Sequence, residues 1–267
     1  RIYTLCEELR QIKGTKKQSI DEWLLSRVHH HVRAINHALK EYDLRELASI
    51  TYFTLYDDLR WYVRRGGSDT KVLHEVLDIW VKLMNPITPH LSEELNELGK
   101  YVKVLVSASS WPISEEKKIA PKAEAGEELV KATRESMRNV LKLAKIDVPK
   151  KYTLFIADRW LYKLFEIIST EIKVTHNLGE IMRRVLAEET LKEKGKDISR
   201  IVPALVKDES KIPPVVISPE EEFKVMKEAA GMLEKEFGCI VEVVLGEESS
   251  HPKARTAMPG KVGIVVE

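Results

Sequence analysis

Apolar residues recur at spacings of three and four between residues 24 and 83, and this period constrains the fold more than any other feature. The clearest stripe consists of Leu24, Val28, Val32, Ile35 and Leu39. Such a stripe is typical of the buried face of an amphipathic helix. Further stripes follow over residues 44–62 and 72–83, and the short links between them favour antiparallel neighbours. The sequence therefore predicts a mainly α fold with an antiparallel helix bundle over residues 1–113.

Local signals set the ends of these predicted helices. Ser19 with Glu22 has the spacing of a capping box, in which two side chains satisfy each other's backbone N–H groups. Pro89 suits the first turn of a helix, and Gly99 suits a helix end. Residues 101–106 then show a short β-like pattern. These boundaries agree with the helical period.

The pattern changes after residues 114–150, which are predicted to form a charged connector and a linking helix. Strands are predicted over residues 152–157, 239–245 and 262–266, with helices between the first two. A polar loop joins the last two strands. Residues 151–267 are therefore predicted to form a small α+β domain.

Two helix ends inside this second domain have distinct signals. Ser218, followed by Pro219 and Glu221, predicts a capped helix start. Gly195 is expected to close a helix that begins at Leu178, because glycine readily adopts the left-handed conformation of a helix end.

The composition indicates a globular protein and excludes several classes. Hydrophobic residues make up 43% and charged residues 32% of the 267 residues, which excludes a disordered chain. No apolar run is long enough to span a membrane. Two cysteines exclude a disulfide framework and a zinc site of several thiolates. The net charge of +1 points to no partner, so a nucleic-acid surface would need one-sided placement of its cations.

The origin of the chain is also a matter of expectation. It begins with arginine and has no signal-like stretch, so we expect a piece of a longer cytoplasmic protein. Glutamine and asparagine are rare beside abundant lysine and glutamate, which favours a thermophilic source.

The chain lacks the motifs of common catalytic chemistry. There is no phosphate-binding glycine loop of standard spacing and no nucleophile elbow. His29, His30 and His31 lie about 100° apart around one helix, so they cannot all face one metal ion. We therefore predict no catalytic residue and no metal site in this chain.

The sequence RWYVRR combines arginines with aromatic residues at the predicted end of a helix. Its candidates for binding phosphates and stacked bases are Arg60, Trp61, Arg64 and Arg65. The alternative is an ordinary helix end, in which the arginines offset the helix dipole and Trp61 or Tyr62 belongs to the core. The residues alone favour neither interpretation.

Three other basic segments have similar alternatives. Lys16 and Lys17 lie in a loop before a helix, where a solvated turn is the ordinary interpretation. Arg183 and Arg184 form either a solvated helix face or a pair of phosphate contacts. Residues 251–261 form a long basic loop, and loops on a rigid scaffold often bind ligands. The alternative for this loop is a plain hairpin connection.

Three segments in order resemble the anticodon-binding helix bundle of class I aminoacyl-tRNA synthetases. Residues 21–28 (DEWLLSRV) resemble the start of its long helix, residues 83–95 (LMNPITPHLSEEL) its Pro-x-x-Pro-His-x-x-Glu-Glu-Leu segment, and residues 110–112 (SWP) the following Trp-Pro pair. This resemblance covers residues 1–113. RWYVRR and the tail PGKVGIVVE are similar to leucyl-tRNA synthetases of the archaeal and eukaryotic type.

The resemblance implies a segment that holds tRNA and does not itself catalyse. The ATP-handling signatures His-Ile-Gly-His and Lys-Met-Ser-Lys-Ser are absent, and so is the editing domain. ATP and Mg²⁺ would serve an absent catalytic domain, so no cofactor is expected in this segment. The implied partners are leucine tRNA and the upstream catalytic and editing domains of a monomeric enzyme.

The resemblance also implies where the tRNA would bind. The bundle would lie along the inside of the L-shaped tRNA, near its corner and anticodon stem, and the C-terminal domain would hold the long variable arm. For the corner and stem, the candidates are Lys16, Lys17, Arg60, Trp61, Arg64 and Arg65. For the variable arm, they are Lys253, Arg255, Lys261 and Ile264, together with Arg183 and Arg184.

Other functions remain open at this point. The C-terminal part of a valyl, isoleucyl or methionyl enzyme would differ in which tRNA competes best. A helical interaction scaffold without an RNA role would show no steep loss of RNA binding with salt. A free-standing enzyme built on the histidines would need a base, a nucleophile and an oxyanion donor, which these motifs do not combine.

Overall fold

A computed structural model describes the whole chain, from Arg1 to Glu267. Its elements are mostly helices with one three-stranded sheet, so the predicted fold class is confirmed. The chain separates into two compact units, Arg1–Glu124 and Ala125–Glu267. The helix that sequence analysis assigned to a connector therefore contributes most of its length to the second unit.

The first unit is built from helices that bury one apolar face each. They are α1 (Ile2–Gln11), α2 (Ser19–Lys40), α3 (Leu44–Ser49), α4 (Leu55–Arg64), α5 (Thr70–Met84) and α6 (Pro89–Gly99). The predicted stripe on α2 is buried at Leu24, Val28, Val32 and Ile35. These side chains share one core with Trp80 of α5 and Tyr62 of α4. Removing this apolar surface from water is the main favourable term in holding the helices together.

The start of α2 differs by one residue from the predicted capping box. Gln18 is the N-cap, and its backbone N–H donates to the carboxylate of Asp21 at 2.6 Å. Asp21 is buried and also accepts a hydrogen bond from the hydroxyl of Tyr62 at 2.6 Å. The pairing of Ser19 with Glu22 was therefore wrong, because a tertiary contact fixes the carboxylate one residue earlier.

The stripe over residues 44–62 is divided between two α-helices by a π-helical segment, Ile50–Thr54. The indole N–H of Trp80 donates to the carbonyl oxygen of Thr51 at 2.8 Å, and the hydroxyl of Tyr52 lies 2.7 Å from that of Thr88. A π segment places one residue more in the turn than an α-helix does. These bonds from α5 and the start of α6 accompany the widened turn.

The β-like run at residues 101–106 forms no strand, so that prediction was wrong. The side chain of Asn96 accepts from the N–H of Val102 at 2.8 Å and donates to its carbonyl at 3.1 Å. The carboxylate of Glu93 accepts from the N–H groups of Val106 and Ser107. Side chains of α6 thus satisfy the backbone groups that a strand would have offered to a neighbour.

The second unit combines helices with the sheet. The elements are α7 (Pro121–Ala144, which begins in the first unit), β1 (Lys151–Ile156), α8 (Arg159–Glu171), α9 (Leu178–Ala187), α10 (Glu189–Lys192), α11 (Gly195–Lys207), α12 (Pro219–Phe237), β2 (Ile240–Leu245) and β3 (Gly263–Val266). The capping box between Ser218 and Glu221 is confirmed, and Gly238 ends α12 in the left-handed conformation. Gly195 begins α11 and does not close the preceding helix, so its assignment as a stop was wrong. Lys194 already lies at the junction between the two helices, and the left-handed stop that glycine would provide is not used there.

In the sheet, β1 lies between β2 and β3. β1 pairs in parallel with β2, from Lys151 with Ile240 to Ile156 with Leu245, and antiparallel with β3. Because β2 and β3 do not pair with each other, the segment between them crosses from one side of β1 to the other. The hairpin alternative for the basic loop is therefore excluded.

Candidate nucleic-acid interface

The arginines at the end of α4 differ in their availability. Arg60 is half-exposed and lies 3.3 Å from the carboxylate of Glu8. Arg64 is exposed and has no ion-pair partner. Arg65 is only 3% exposed, and its backbone N–H donates to the carbonyl of Trp61 at the end of α4. Arg65 is therefore not presented to a phosphate, which corrects its assignment.

Tyr62 fixes the turn that follows these arginines. Its side chain is fully buried, and its hydroxyl donates to Asp21 and accepts from the backbone N–H of Asp69 at 3.0 Å. Burial, together with the neighbouring Asp21 carboxylate, raises the pKa of Tyr62 well above its ordinary value. Gly67 packs against this ring, and a Cβ there would lie 2.4 Å from the ring carbons. The aromatic part of RWYVRR thus belongs to the core, with Trp61 packed against the same core at its edge.

The structure brings two of the predicted basic segments together. The carbonyl of Gly14 accepts hydrogen bonds from the N–H and the hydroxyl of Thr70, each at 3.1 Å. The loop that contains Lys16 and Lys17 therefore lies beside the turn after Arg64. Both lysines are exposed and neither has an ion-pair partner. Sequence reasoning treated these segments separately, since nothing local links them.

The histidines of α2 each have a different acidic neighbour. His31 lies 2.7 Å from Asp58 and His30 lies 3.2 Å from Glu124. His29 accepts at Nδ1 from the backbone N–H of Glu115, and its ring lies in a cluster with the carboxylates of Glu75 and Glu115, whose ligand atoms are within 4.8 Å of one another.

This cluster already has a cation of its own. The ammonium of Lys118 is 2.6 Å from the carboxylates of both Glu75 and Glu115. His29 and Lys118 lower the pKa of Glu75, which keeps that carboxylate charged. The lysine therefore balances the acidic pair in the place where a metal ion would have to bind.

In the second unit, the predicted basic loop is exposed and also well ordered by hydrogen bonds. Its cations, Lys253, Arg255 and Lys261, are exposed and have no ion-pair partner. Met258 and Lys261 exchange two backbone hydrogen bonds of 2.9 and 2.8 Å around Pro259-Gly260. Gly260 has a φ of +78°, which a proline–glycine turn of this kind requires.

A buried carboxylate holds this loop in place. Glu222 of α12 is 1% exposed, and one of its oxygens accepts from the backbone N–H of Gly260 at 2.7 Å. The other oxygen accepts from the hydroxyl of Tyr162 at 2.6 Å. Burial raises the pKa of Glu222 to about 7, although both hydrogen bonds act in the opposite direction. Sequence reasoning missed Glu222, because a glutamate in the first turn of a helix is ordinarily exposed.

Two cavities of about 690 Å³ each flank the loop. Arg200 of α11 lines both of them, and Arg255 and Lys261 each line one. Lys194 and Trp160 line the cavity on the Arg255 side. No local signal in the sequence marks Arg200 or Lys194, since each is an isolated cation that only the folded chain brings to the loop.

The remaining predicted residues lie apart from these cavities. Arg184 is 2.7 Å from the carboxylate of Glu171, whereas Arg183 is exposed without an ion pair. Ile264 is half-buried in β3 and pairs with Leu154 of β1. Neither arginine nor Ile264 lines the two cavities.

The lengths and polarity of the helices can be compared with what a membrane span requires. Each of the helices is too short or too polar to cross a lipid bilayer.

Comparison with known proteins gives a consistent picture. The family model described as the anticodon-binding domain of tRNA ligase matches residues 21–156. The leucine–tRNA ligase of Methanococcus vannielii is 36% identical over 93% of this chain. The leucine–tRNA ligases of Methanocaldococcus jannaschii and Methanococcus aeolicus are 34% and 33% identical over the whole chain. The chain spans about a quarter of the length of these curated relatives, 25 to 27%.

Proposed function

Because the chain belongs to the anticodon-binding domain family of tRNA ligases, we propose that it is the tRNA-binding C-terminal part of a leucine–tRNA ligase. The observation that carries this proposal is the similarity to leucine–tRNA ligases along the whole chain, including the second unit. In such an enzyme, leucine is attached to tRNA with ATP and Mg²⁺ by a catalytic domain outside this segment.

The charged surfaces support a role in tRNA binding. In the first unit, Lys16, Lys17 and Arg64 lie on neighbouring segments and have no acidic partner. We assign these cations to the corner and anticodon stem of the tRNA. Contacts of lysine and arginine with phosphates set the position of a protein on a nucleic acid, without reading its sequence.

We assign discrimination between tRNAs to the second unit. Its loop combines three unpaired cations with two cavities, and Glu222 holds the backbone of the loop at Gly260. Proteins recognise specific RNAs mainly through shape and unpaired bases, which a loop beside a cavity can accommodate. The long variable arm of leucine tRNA is the feature that we propose it holds.

A filter-binding titration tests this function. Three RNAs are compared at two salt concentrations: leucine tRNA, the same tRNA with a shortened variable arm, and serine tRNA, which also has a long arm. We expect tightest binding of intact leucine tRNA, and affinity that falls steeply with salt. Equal binding of all three RNAs would contradict the assignment to leucine, and binding that is insensitive to salt would contradict an RNA role.

A further inference from the structure

We propose that the cavity lined by Trp160, Arg200 and Arg255 holds one unstacked nucleotide of the bound tRNA, with the base against Trp160 and the phosphate on the two arginines. This inference rests on the proposed tRNA-binding function and names a specific site within it. The same cavity is hereafter called the Trp160 cavity.

The position of the Trp160 cavity suits a ligand. β1 and β2 are parallel and end in register, Ile156 beside Leu245. The cavity lies just beyond these carboxyl ends, where Asp158 and Gly246 form part of its wall. Crevices outside the carboxyl ends of parallel strands are common binding places in sheets that have helices packed on them. A volume of about 690 Å³ is within the range of small-ligand sites.

Trp160 presents an aromatic surface to this cavity. Its indole N–H donates to the carboxylate of Asp158 at 3.3 Å, which holds the ring in one orientation. The ammonium of the exposed Lys194 lies over one face of the ring, 5.8 Å from its centre, so a base that stacks on this face takes the place of Lys194. Stacking of a base on an aromatic ring is tolerant of sequence and contributes substantially to the binding of single-stranded RNA.

Two unpaired arginines in the wall of the cavity suit a phosphate. Arg200 and Arg255 are exposed and have no ion-pair partner, although their guanidinium groups suit bidentate contacts with phosphate oxygens. Three acidic residues also line the wall: Glu247 lies 3.6 Å from Arg159, Asp158 accepts from the indole, and Asp197 has no ion-pair partner. Neither Arg200 nor Arg255 forms an ion pair with any of these three acids, so both guanidinium groups remain available to a phosphate.

Asp197 gives the cavity a preference among bases. Its carboxylate lines the wall without a hydrogen-bond or ion-pair partner. A carboxylate only accepts hydrogen bonds, so it matches the exocyclic amino groups of adenine, cytosine and guanine. Uracil has no exocyclic amino group and offers a carboxylate only its ring N3–H. The nucleotide in the Trp160 cavity is therefore expected to have an amino-bearing base.

Coupling between the protein and the RNA tests the site. The full chain and its variants are titrated with leucine tRNAs in which each unpaired nucleotide is made abasic in turn. Trp160→Leu should lower affinity about 5- to 100-fold, whereas Trp160→Phe retains an aromatic face and should stay within about threefold of the parent chain. At one RNA position, the abasic change should lower the affinity of the parent chain about as much as Trp160→Leu does. The same abasic change should not lower the affinity of the Trp160→Leu variant further.

The arginine arm of the test has a matched control. Arg200→Gln should lower the slope of log affinity against log salt by about one unit. Lys207→Gln, at the other end of α11, removes an exposed cation that lines neither cavity and should leave the slope unchanged. At the coupled RNA position, uracil should bind more weakly than the amino-bearing bases, and Asp197→Ala should remove this difference.

The outcomes separate the site from the function on which it rests. If the parent chain binds leucine tRNA but Trp160→Leu and Arg200→Gln bind as it does, the Trp160 cavity holds no nucleotide. The site would also be overturned if the loss of binding free energy from Trp160→Leu and the loss from each abasic change simply added at every RNA position. If the parent chain itself fails to bind leucine tRNA, the proposed function is overturned, whatever the variants do.

Discussion

The two basic regions of this chain have similar numbers of cations but differ in how many remain available. At the end of α4, one of three arginines is buried and another lies beside Glu8. In the loop of the second unit, Lys253, Arg255 and Lys261 are all exposed and unpaired. Basic residues in a sequence therefore do not report the charge that a surface presents.

The difference has a structural cause. Near the end of α4 the fold packs the side chain of Arg65 inside the first unit, and Arg60 reaches the carboxylate of Glu8. The loop instead turns at Pro259-Gly260, and Glu222 holds its backbone rather than its cations. The number of basic residues in a segment therefore does not show which of them are exposed; that depends on how the fold holds the backbone of the segment.

The comparison would be tested most strongly by removing the three loop cations together. Lys253→Gln, Arg255→Gln and Lys261→Gln combined should lower the slope of log affinity for leucine tRNA against log salt by about three units. The reason is that each cation is expected to release counterions from one phosphate. The matched control replaces Lys207, Lys224 and Lys235, which are exposed and unpaired elsewhere in the unit. An equal decrease of the salt slope in both triple variants would show that the position of the cations on the surface does not matter.

Glu222→Gln tests how the loop is held, because it should change how the free energy of unfolding depends on pH. The pKa of about 7 in the folded chain exceeds the ordinary carboxyl value of 4.5. The folded state therefore keeps a proton that the unfolded chain loses, and stability falls as the pH rises from 4.5 to 7. Between pH 4 and pH 8 the parent chain should lose about 3 kcal/mol of its free energy of unfolding through this group, and Glu222→Gln should lack this loss.

Urea unfolding followed by circular dichroism at several pH values measures this effect. Glu193→Gln changes an exposed carboxyl group without an ion pair and is the control. The interpretation of Glu222 as a buried anchor would be wrong if the two variants had the same pH dependence.

Arg65→Gln and Arg64→Gln should separate structure from binding at the end of α4. Arg65 is buried, so its replacement removes packed side-chain atoms, which should lower the free energy of unfolding by about 1–3 kcal/mol and leave the salt slope unchanged. Arg64 is exposed, so its replacement should lower the salt slope by about one unit with little change in stability. Thermal unfolding and RNA titration distinguish the two. A change of salt slope in the Arg65 variant would restore that residue to the interface.

Arg60→Gln should have the smallest effect on binding. The carboxylate of Glu8 already offsets the charge of Arg60, and exposed pairs of this kind contribute little. Affinity for tRNA should fall by less than about twofold, and Glu8→Gln should raise it slightly because Arg60 becomes available. Titration at low salt, where such effects are largest, measures both. A full unit of salt slope lost in Arg60→Gln would contradict the pairing.

The sequence predicts elements well where one residue determines a helix end. Pro89 begins α6, and Ser218 caps α12 as expected, because the capping geometry is local. The failures have non-local causes. Asn96 and Glu93 replace a strand at residues 101–106, and Trp80 binds the widened turn inside the second stripe.

The candidate site was predictable only in part, for a related reason. Loop cations could be named from the sequence, but Arg200 and Glu222 reach the same loop from separate helices. Neither residue stands out within its own helix. Arg65 shows the opposite case, since a basic motif contained a residue that the fold buries.

The placement of β1 between β2 and β3 has a consequence for how the chain folds during its synthesis. β1 ends at Ile156, whereas the strand on its antiparallel side begins at Gly263. Closing so long a loop is slow, and domains fold as units as they leave the ribosome. The helices of residues 1–124 can therefore pack while the second unit is still incomplete. Both edges of β1 lack a partner until residues 240–245 emerge, and one edge stays open to pairing with other chains until residues 263–266 follow.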